Sequence, residues 1–553
     1  MTAHQRHESP PWLEPLSAAL TEALPRLYGQ APEPRLAELM DALLRALARG
    51  ELELDLAGPA PEGIRAEGWP QAHRRALAAS PLGRPPHGPL VLEGDRLRWR
   101  RWQAVRQRVL ERLTARARRH TPSTDWEAPT TSLDPLQGQA IRAALERDLL
   151  VLAGGPGTGK TSTVAHLLSA VCQRDPQTRV HLAAPTGKAT ARLRAATGGR
   201  WPCSTLHQLL ESRGEGTFRR HQGRPLELDL LVVDEVSMVD LALMDALLNA
   251  LPEPSRLVLV GDPAQLAPVA PGSPLRELLR DEWRPSLRGA LVTLATTYRN
   301  AGAIAMVAAA LRELLEAWAG SPENALEQLR PRLSQLGSDA NLRWSAAVPG
   351  PLPAMVAEGL RSHRLRLEEA SRSCGPERDD GWQELRTLRD QLLVLTPKHR
   401  GTWGVEAVHR ELLGDATALG WSQWPSGTPV LCTRNLHGLG LSNGDLGVLV
   451  VERGERWLVF GHDRPIWLHP AQLSGALQPA LALTVHKAQG SEAERVMVLL
   501  PEPDGVDPRL LYTALTRARR EAWLLTAEAP PSRAGNPPVR SSSKGAAPKW
   551  EST

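Results

Sequence analysis

The stretch GGPGTGKTST, Gly154 to Thr163, decides the reading of this 553-residue chain. It fits G-x-x-x-x-G-K-[ST] and lies between the apolar run LLVLA and the helix-forming TSTVAHLLSAV, the strand-loop-helix context that gives this pattern its meaning. In such a loop Gly154, Gly155, Pro156, Gly157, Thr158 and Gly159 let successive backbone N–H groups face a phosphate, and the N-terminus of the following helix adds positive potential. Lys160 is then expected to bridge the β and γ oxygens of ATP, and Thr161 to ligate Mg²⁺.

Lys160 is one of only six lysines among 66 basic residues. Lys188, Lys398 and Lys487 each stand in a short stretch that also has the look of a ligand contact, while Lys544 and Lys549 lie in the tail. An ammonium is a compact point charge and a guanidinium a wide fork, so so strong a bias toward arginine suggests lysine is kept where the fork does not fit.

Around this motif the chain has an α/β texture. LLVLA, VHLAAPT, LDLLVVDE and RLVLVGD read as buried parallel strands, and QLLVLTPKH, RVMVLLP and EAWLLTAE repeat the texture, which predicts two α/β lobes at about 126–300 and 301–528. Short β-rich runs between about 420 and 478, with a turn at Asn443-Gly444-Asp445, predict a small β-barrel inserted in the second lobe. Residues 1–125 read as helical, with Leu36, Leu39, Leu43 and Leu47 at helical spacing and Gly50 at a C-cap. The segment RWQAVRQRVLERLTARARR puts Val105, Val109 and Leu113 on one stripe. Its arginines fit either a nucleic-acid or partner surface or a solvated face. Residues 529–553 are rich in Pro, Ser and Gly and predict a disordered tail.

Composition sets outer bounds. A net charge of +5 permits a polyanion partner without demanding one. Four isolated cysteines point to neither a zinc site nor a disulfide framework, and with no signal-peptide layout or membrane-length apolar run the chain reads as cytoplasmic.

Further motifs add chemistry. In LDLLVVDE, Asp234 is delivered to the metal and Glu235 is placed to orient and polarise the attacking water. Gln265 of GDPAQLAPV suits sensing of a γ-phosphate. Gln137 of LQGQA offers an amide to the adenine edge, with a plain surface glutamine as the rival reading. Thr186 and Lys188 of PTGKATARL, and Thr205 and His207 of STLHQLL, are groups suited to phosphodiester contacts.

Taken in order, LQGQA, GGPGTGKTST, APTGKATARL, STLHQLL, VVDEVSMVD, GDPAQLAPV, TTYRN, TRNLHGLGLSNGDLGVL, LTVHKAQGSE and YTALTRAR resemble the superfamily 1 DNA helicases of the RecD group, over about residues 130–528. The resemblance implies two RecA-like P-loop lobes with parallel sheets, an SH3-like barrel, and a 5′-to-3′ translocase on single-stranded DNA that uses ATP and Mg²⁺. It also implies that Arg299 and Arg517 reach the γ-phosphate, that Glu492 lies near the ribose, and that Thr484 and His486 face DNA. Of the family's two forms, the α subunit of the RecBCD exodeoxyribonuclease V complex and a longer stand-alone helicase, the short N-terminal region favours the first. RecB-like and RecC-like partners would follow, with the nuclease site in the RecB-like subunit. The rivals are a stand-alone helicase and a non-motor subunit that binds ATP as a switch.

Overall fold

The computed structural model describes residues 12–120, 133–214, 216–296, 302–316, 325–337, 340–348, 350–377, 381–461, 464–473, 475–503 and 505–527. The expected tail and Arg299 lie outside them.

The apolar runs beside the phosphate loop are strands of one six-stranded sheet, in the order Leu291–Leu294, Leu149–Gly154, Arg256–Gly261, Leu230–Val233, Val180–Ala184 and Cys203–Thr205. Every pairing is parallel. Leu149 and Val151 pack on one face with Leu231, Leu257 and Leu259; Leu150 and Leu152 pack on the other with Val164, Leu167 and Leu182. Both faces are therefore covered, which is why these strands read as unbroken apolar runs rather than as alternation. The parallel arrangement brings the loops after Ala184, Thr205, Val233, Gly261 and Gly154 to one rim, where open α/β sheets bind their ligands.

The second lobe repeats the plan with five parallel strands, in the order Leu342–Ala346, Ala518–Thr526, Ala493–Leu500, Leu392–Thr396 and Leu483–Thr484. Helices Ala303–Glu316 and Pro508–Leu515 contribute Val307, Leu311, Leu511 and Leu515 to its core.

Two expectations are met only in part. The β-rich insertion is a five-stranded antiparallel sheet, Ile466–Leu468, Glu455–Phe460, Leu446–Glu452, Pro429–Cys432 and Leu477–Pro479. Its two end strands do not pair with each other among the described residues, so the pairing seen is that of a five-stranded antiparallel sheet. The turn at Asn443-Gly444 is present, with Gly444 at φ 94°.

The N-terminal region is not wholly helical. Beside helices Leu13–Leu27, Pro34–Ala48 and Gln71–Ala79 it holds an antiparallel sheet of Glu53–Asp55, Arg96–Trp99 and Leu90–Glu93. Leu54, Leu90 and Leu97 join Leu36, Leu39 and Leu43 in its core, so the short strands close what the helices leave open.

The arginine-rich helix, Arg100–Arg118, is neither a solvated face nor a free nucleic-acid surface. Val109, Leu110, Leu113 and Ala117 are buried against one face of the first lobe's sheet. Its arginines fasten it there: Arg106 Nε donates to Glu277 at 2.5 Å, Arg108 grips Asp245 with two nitrogens, Arg112 reaches Asn249, and Arg116 donates to the carbonyls of Ser255 and Pro252. The helix is an outer layer of the motor, although it precedes the motor in sequence.

The Arg106–Glu277 pair is almost wholly buried. Removing one partner of a buried pair costs about 3 kcal/mol, because the other charge is left uncompensated. Glu277→Ala is therefore expected to lower the urea midpoint of first-lobe unfolding, followed by circular dichroism. Arg108→Ala, at a half-exposed pair, is expected to cost under about 1 kcal/mol.

Candidate functional site

The phosphate loop occupies 155–159, between the strand ending at Gly154 and the helix Lys160–Arg174. Gly157 and Gly159 have φ of 73° and 80°, which a residue with a Cβ adopts only under strain. A Cβ on Gly154 would stand 2.7 Å from Thr158 Oγ1, whose hydroxyl donates to Gly155 O. Lys160 Nζ donates to the carbonyls of Gly154 and Gly155 at 2.8 Å each, which holds the ammonium across the loop.

Three buried carboxylates stand at neighbouring strand ends. Asp234 follows Leu230–Val233, and its Oδ1 accepts from Glu235 N at 2.8 Å. Its Oδ2 is buried and has no hydrogen-bond partner. Burial, and then the adjacent Glu235 carboxylate, push the Asp234 carboxyl up. Burial also pushes Glu235 up, but Arg192, Arg517 and Lys160 outweigh it and hold that carboxyl low. Glu235 sits at φ 52°, in the left-handed region, so the chain turns sharply between the two acids. The third is Asp262, after Arg256–Gly261, which burial likewise pushes up; it accepts from Tyr512 Oη at 2.9 Å, Ala264 N at 3.1 Å and Gln265 Nε2 at 3.3 Å. The charge of Lys160 acts on all three.

A buried carboxylate oxygen without a donor fits a divalent cation better than a structural role. Thr161, next to Lys160 at the helix start, is a hydroxyl that could serve as a further ligand to such a cation.

The second lobe completes this cluster. Helix Pro508–Leu515 supplies Tyr512 to Asp262, and Thr513 Oγ1 accepts from Leu266 N at 2.9 Å. Arg517 is buried, its Nε donates to Thr513 O at 3.0 Å, and its charge acts on Glu235. Gln489 Nε2 donates to Leu266 O at 3.2 Å. Arg312 and Tyr512 both reach the phosphate loop: a Cβ on Gly155 would meet Arg312 Nη1 at 3.1 Å and Tyr512 Oη at 3.2 Å.

The predicted strand-contacting residues gather beside this cleft. Ala184 and Thr205 are register partners, so the loops carrying Thr186 and His207 are neighbours. Thr186 Oγ1 caps helix Gly187–Ala196 and Thr205 Oγ1 caps the turn Leu206–Leu209, while His207 is exposed. Across the cleft, Lys188 Nζ donates to Ser491 Oγ at 2.8 Å, and a Cβ on Gly490 would lie 3.5 Å from Thr186 Oγ1. Thr484 and His486 precede that same second-lobe loop, with Thr484 Oγ1 accepting from Lys487 N.

Two predicted residues are also engaged within the fold. Gln137 is buried, and its side-chain carbonyl accepts from Asp134 N in a capping box, so half of its amide is spent on the helix start Pro135–Glu146. Glu492 is ion-paired with Arg192 at 3.2 Å and with Arg519 at 3.3 Å.

Four residues of the site escaped the motif reading. Asp262 carried the same signal as Asp234, a carboxylate ending an apolar strand. Arg192 lies one helical turn beyond Lys188. Ser491 stands inside KAQGSE. Arg312, within helix Ala303–Glu316, gave no sequence signal, because only the packing of the lobes brings it to the loop.

Residues 137–271 match the AAA domain family and 479–525 the UvrD-like helicase C-terminal domain family. The RecBCD enzyme subunit RecD of Mycolicibacterium smegmatis is 35% identical, over 94% of this chain and 94% of that protein. The chain belongs to the RecD family. The ATP-dependent RecD2 DNA helicase of Deinococcus radiodurans, 32% identical, is matched over 71% of this chain and 50% of its own length. A solved structure of Bacteroides Pif1 bound to single-stranded DNA shares 16% identity at a TM-score of 0.43, over 72% of this chain and 93% of that one. Among the described residues of this RecD-family chain, no helix is long and apolar enough to cross a membrane.

Lys188 gives the site a pH signature. Burial, then the nearby Arg389, lower its ammonium pKa to about 8 against the pull of Asp445 and Asp390. The protonated form, the one that attracts phosphate, is therefore lost as pH rises through about 8. Single-stranded DNA affinity, read by fluorescence anisotropy, is expected to fall across that range, and Lys188→Arg to flatten the fall.

Proposed function

We propose that this ATP-dependent DNA helicase moves 5′ to 3′ along single-stranded DNA by opening and closing the cleft between its two lobes. One observation carries the reading: the first lobe's buried acids and phosphate loop are met by Tyr512, Arg312 and Arg517 of the second lobe. Phosphoryl transfer spreads negative charge over the γ oxygens, and guanidinium groups from a second body complete such a site only when the bodies close. If each lobe grips the strand differently in the open and closed states, turnover becomes directed movement.

In this reading Lys160 neutralises the β and γ oxygens, Thr161 and Asp234 hold Mg²⁺, Glu235 orients the attacking water, and Gln265 senses the γ-phosphate. Arg517 and Arg299 stabilise the transferring group, and Gln137 and Glu492 border the nucleoside. Bound Mg²⁺ would supply charge neutralisation of the triphosphate. Thr186, Lys188, Thr205, His207, Thr484 and His486 track the DNA backbone along the loops described above.

We further infer a place in a RecBCD-type heterotrimer with RecB-like and RecC-like subunits. The match to the mycobacterial subunit spans 94% of the chain, so it has to include most of the N-terminal region, whereas the match to the RecD2 helicase covers 71%. That region is then the natural candidate for docking.

Lys160→Gln is expected to lower ATP turnover by at least about 100-fold while leaving association with partners intact, because it removes charge from the phosphate site alone. Steady-state hydrolysis with and without oligo-dT, together with co-purification, checks both parts. A wild-type rate that single-stranded DNA leaves unchanged would refute the motor reading, and a fully active monomer in cells that contain the partners would favour a stand-alone helicase.

A further inference from the structure

Arg192 holds two acids that belong to different lobes. One terminal nitrogen, Nη2, is ion-paired with Glu235, and the other, Nη1, donates to Glu492 Oε1 at 3.2 Å. Arg192 is the one side-chain donor to the Glu235 carboxylate among the described residues. Glu492, by contrast, has a second cation from its own lobe, Arg519 at 3.3 Å.

The helix that carries Arg192 also carries the strand side of the site. In Gly187–Ala196, Thr186 is the N-cap, and Lys188 and Arg192 are four residues apart on one face, about 6 Å along the axis. Lys188 reaches Ser491, and Arg192 reaches the next residue, Glu492. The helix and the second-lobe loop thus meet at two consecutive rungs, one on the DNA side and one at the hydrolytic acid. A shift of either lobe, or of Lys188 toward a phosphate, has to move both.

We propose that Arg192 is a positioning residue that restrains the Glu235 carboxylate in the absence of DNA and hands it over to the attacking water when strand binding shifts the guanidinium toward Glu492. This rests on Glu235 being the group that orients the water. In the restrained state one oxygen of Glu235 is occupied by the guanidinium and is not available to accept from water. DNA arriving at Thr186 and Lys188 competes with Ser491 for the lysine and loosens the first rung, and the second follows because the helix is rigid over one turn. Idle hydrolysis would be suppressed by this contact, and DNA would relieve it. An arginine is required because its planar fork can bridge two carboxylates at once, which an ammonium does poorly.

The test is steady-state ATP hydrolysis by the full-length protein, with and without oligo-dT. In Arg192→Gln the DNA-free rate is expected to rise about tenfold, the worth of one charge-assisted hydrogen bond, and the stimulation by DNA to shrink by the same factor. Arg192→Lys should fall between Gln and wild type. Glu492→Gln leaves the guanidinium on Glu235 and should lower the DNA-stimulated kcat at saturating ATP, whereas a contact to the ribose alone would raise KM. A folded Arg192→Gln with a wild-type DNA-free rate, or inactive with and without DNA, would overturn the proposal. Should that variant not fold, Arg192→Lys and Glu492→Gln decide it. Glu235→Gln separates the two levels: wild-type turnover there would remove Glu235 from the reaction, while an inactive Glu235→Gln with unchanged stimulation in Arg192→Gln would sink the restraint alone.

Discussion

Three carboxylates, Asp234, Glu235 and Asp262, are buried within one rim of a parallel sheet, and the rest of the cleft is arranged around that electrostatic cost. Acids taken out of water need cations or donors close by, or they are protonated. Lys160 and Arg192 provide charge from the same lobe, but Tyr512 and Arg517 come from the other. Separating the lobes therefore uncovers or unbalances the acids, and anything that changes the charge at the phosphate loop changes how firmly the lobes hold together. A nucleotide that adds negative charge and a cation that cancels it would act on that balance directly, which is the physical basis of the proposed link between fuel and movement.

The few lysines make sense against this background. Lys160 folds onto two loop carbonyls, Lys188 reaches a hydroxyl across the cleft, Lys398 pairs with Glu502, and Lys487 reaches Gln478. Each is a contact to a small group at the end of a slender stem. Where two carboxylates must be held together the chain uses arginine instead, as at Arg192 between Glu235 and Glu492, or Arg106 between Glu277 and Glu282. The division of labour follows from the shapes of the two cations.

The arginine-rich helix Arg100–Arg118 carries a related lesson. Its charge suggests an encounter with a polyanion, yet the first lobe answers it with Asp245, Glu277 and backbone carbonyls. The helix joins the N-terminal region to the motor by a buried apolar stripe flanked by ion pairs, so a partner docked on the N-terminal region would be mechanically connected to the lobe that holds the phosphate loop.

Much of this protein was legible in the linear sequence because the relevant forces are local. A glycine loop between an apolar strand and a helix can hardly be anything but a phosphate cradle, and unbroken apolar runs signal strands buried on both faces, so the two lobes and the positions of Lys160, Asp234 and Glu235 could be read directly. The small antiparallel sheet in the N-terminal region could not, since strands of three and four residues carry almost no periodicity. Nor could the partners of the arginines: which of 66 basic residues meets which acid depends on side chains far apart along the chain, such as Arg192 with Glu492 or Arg106 with Glu277. Sequence alone determined the chemistry on offer at the rim of each sheet. Only the packing of one lobe against the other decided which charges share a cleft, because electrostatic pairing in a buried site is set by distance in space and not along the chain.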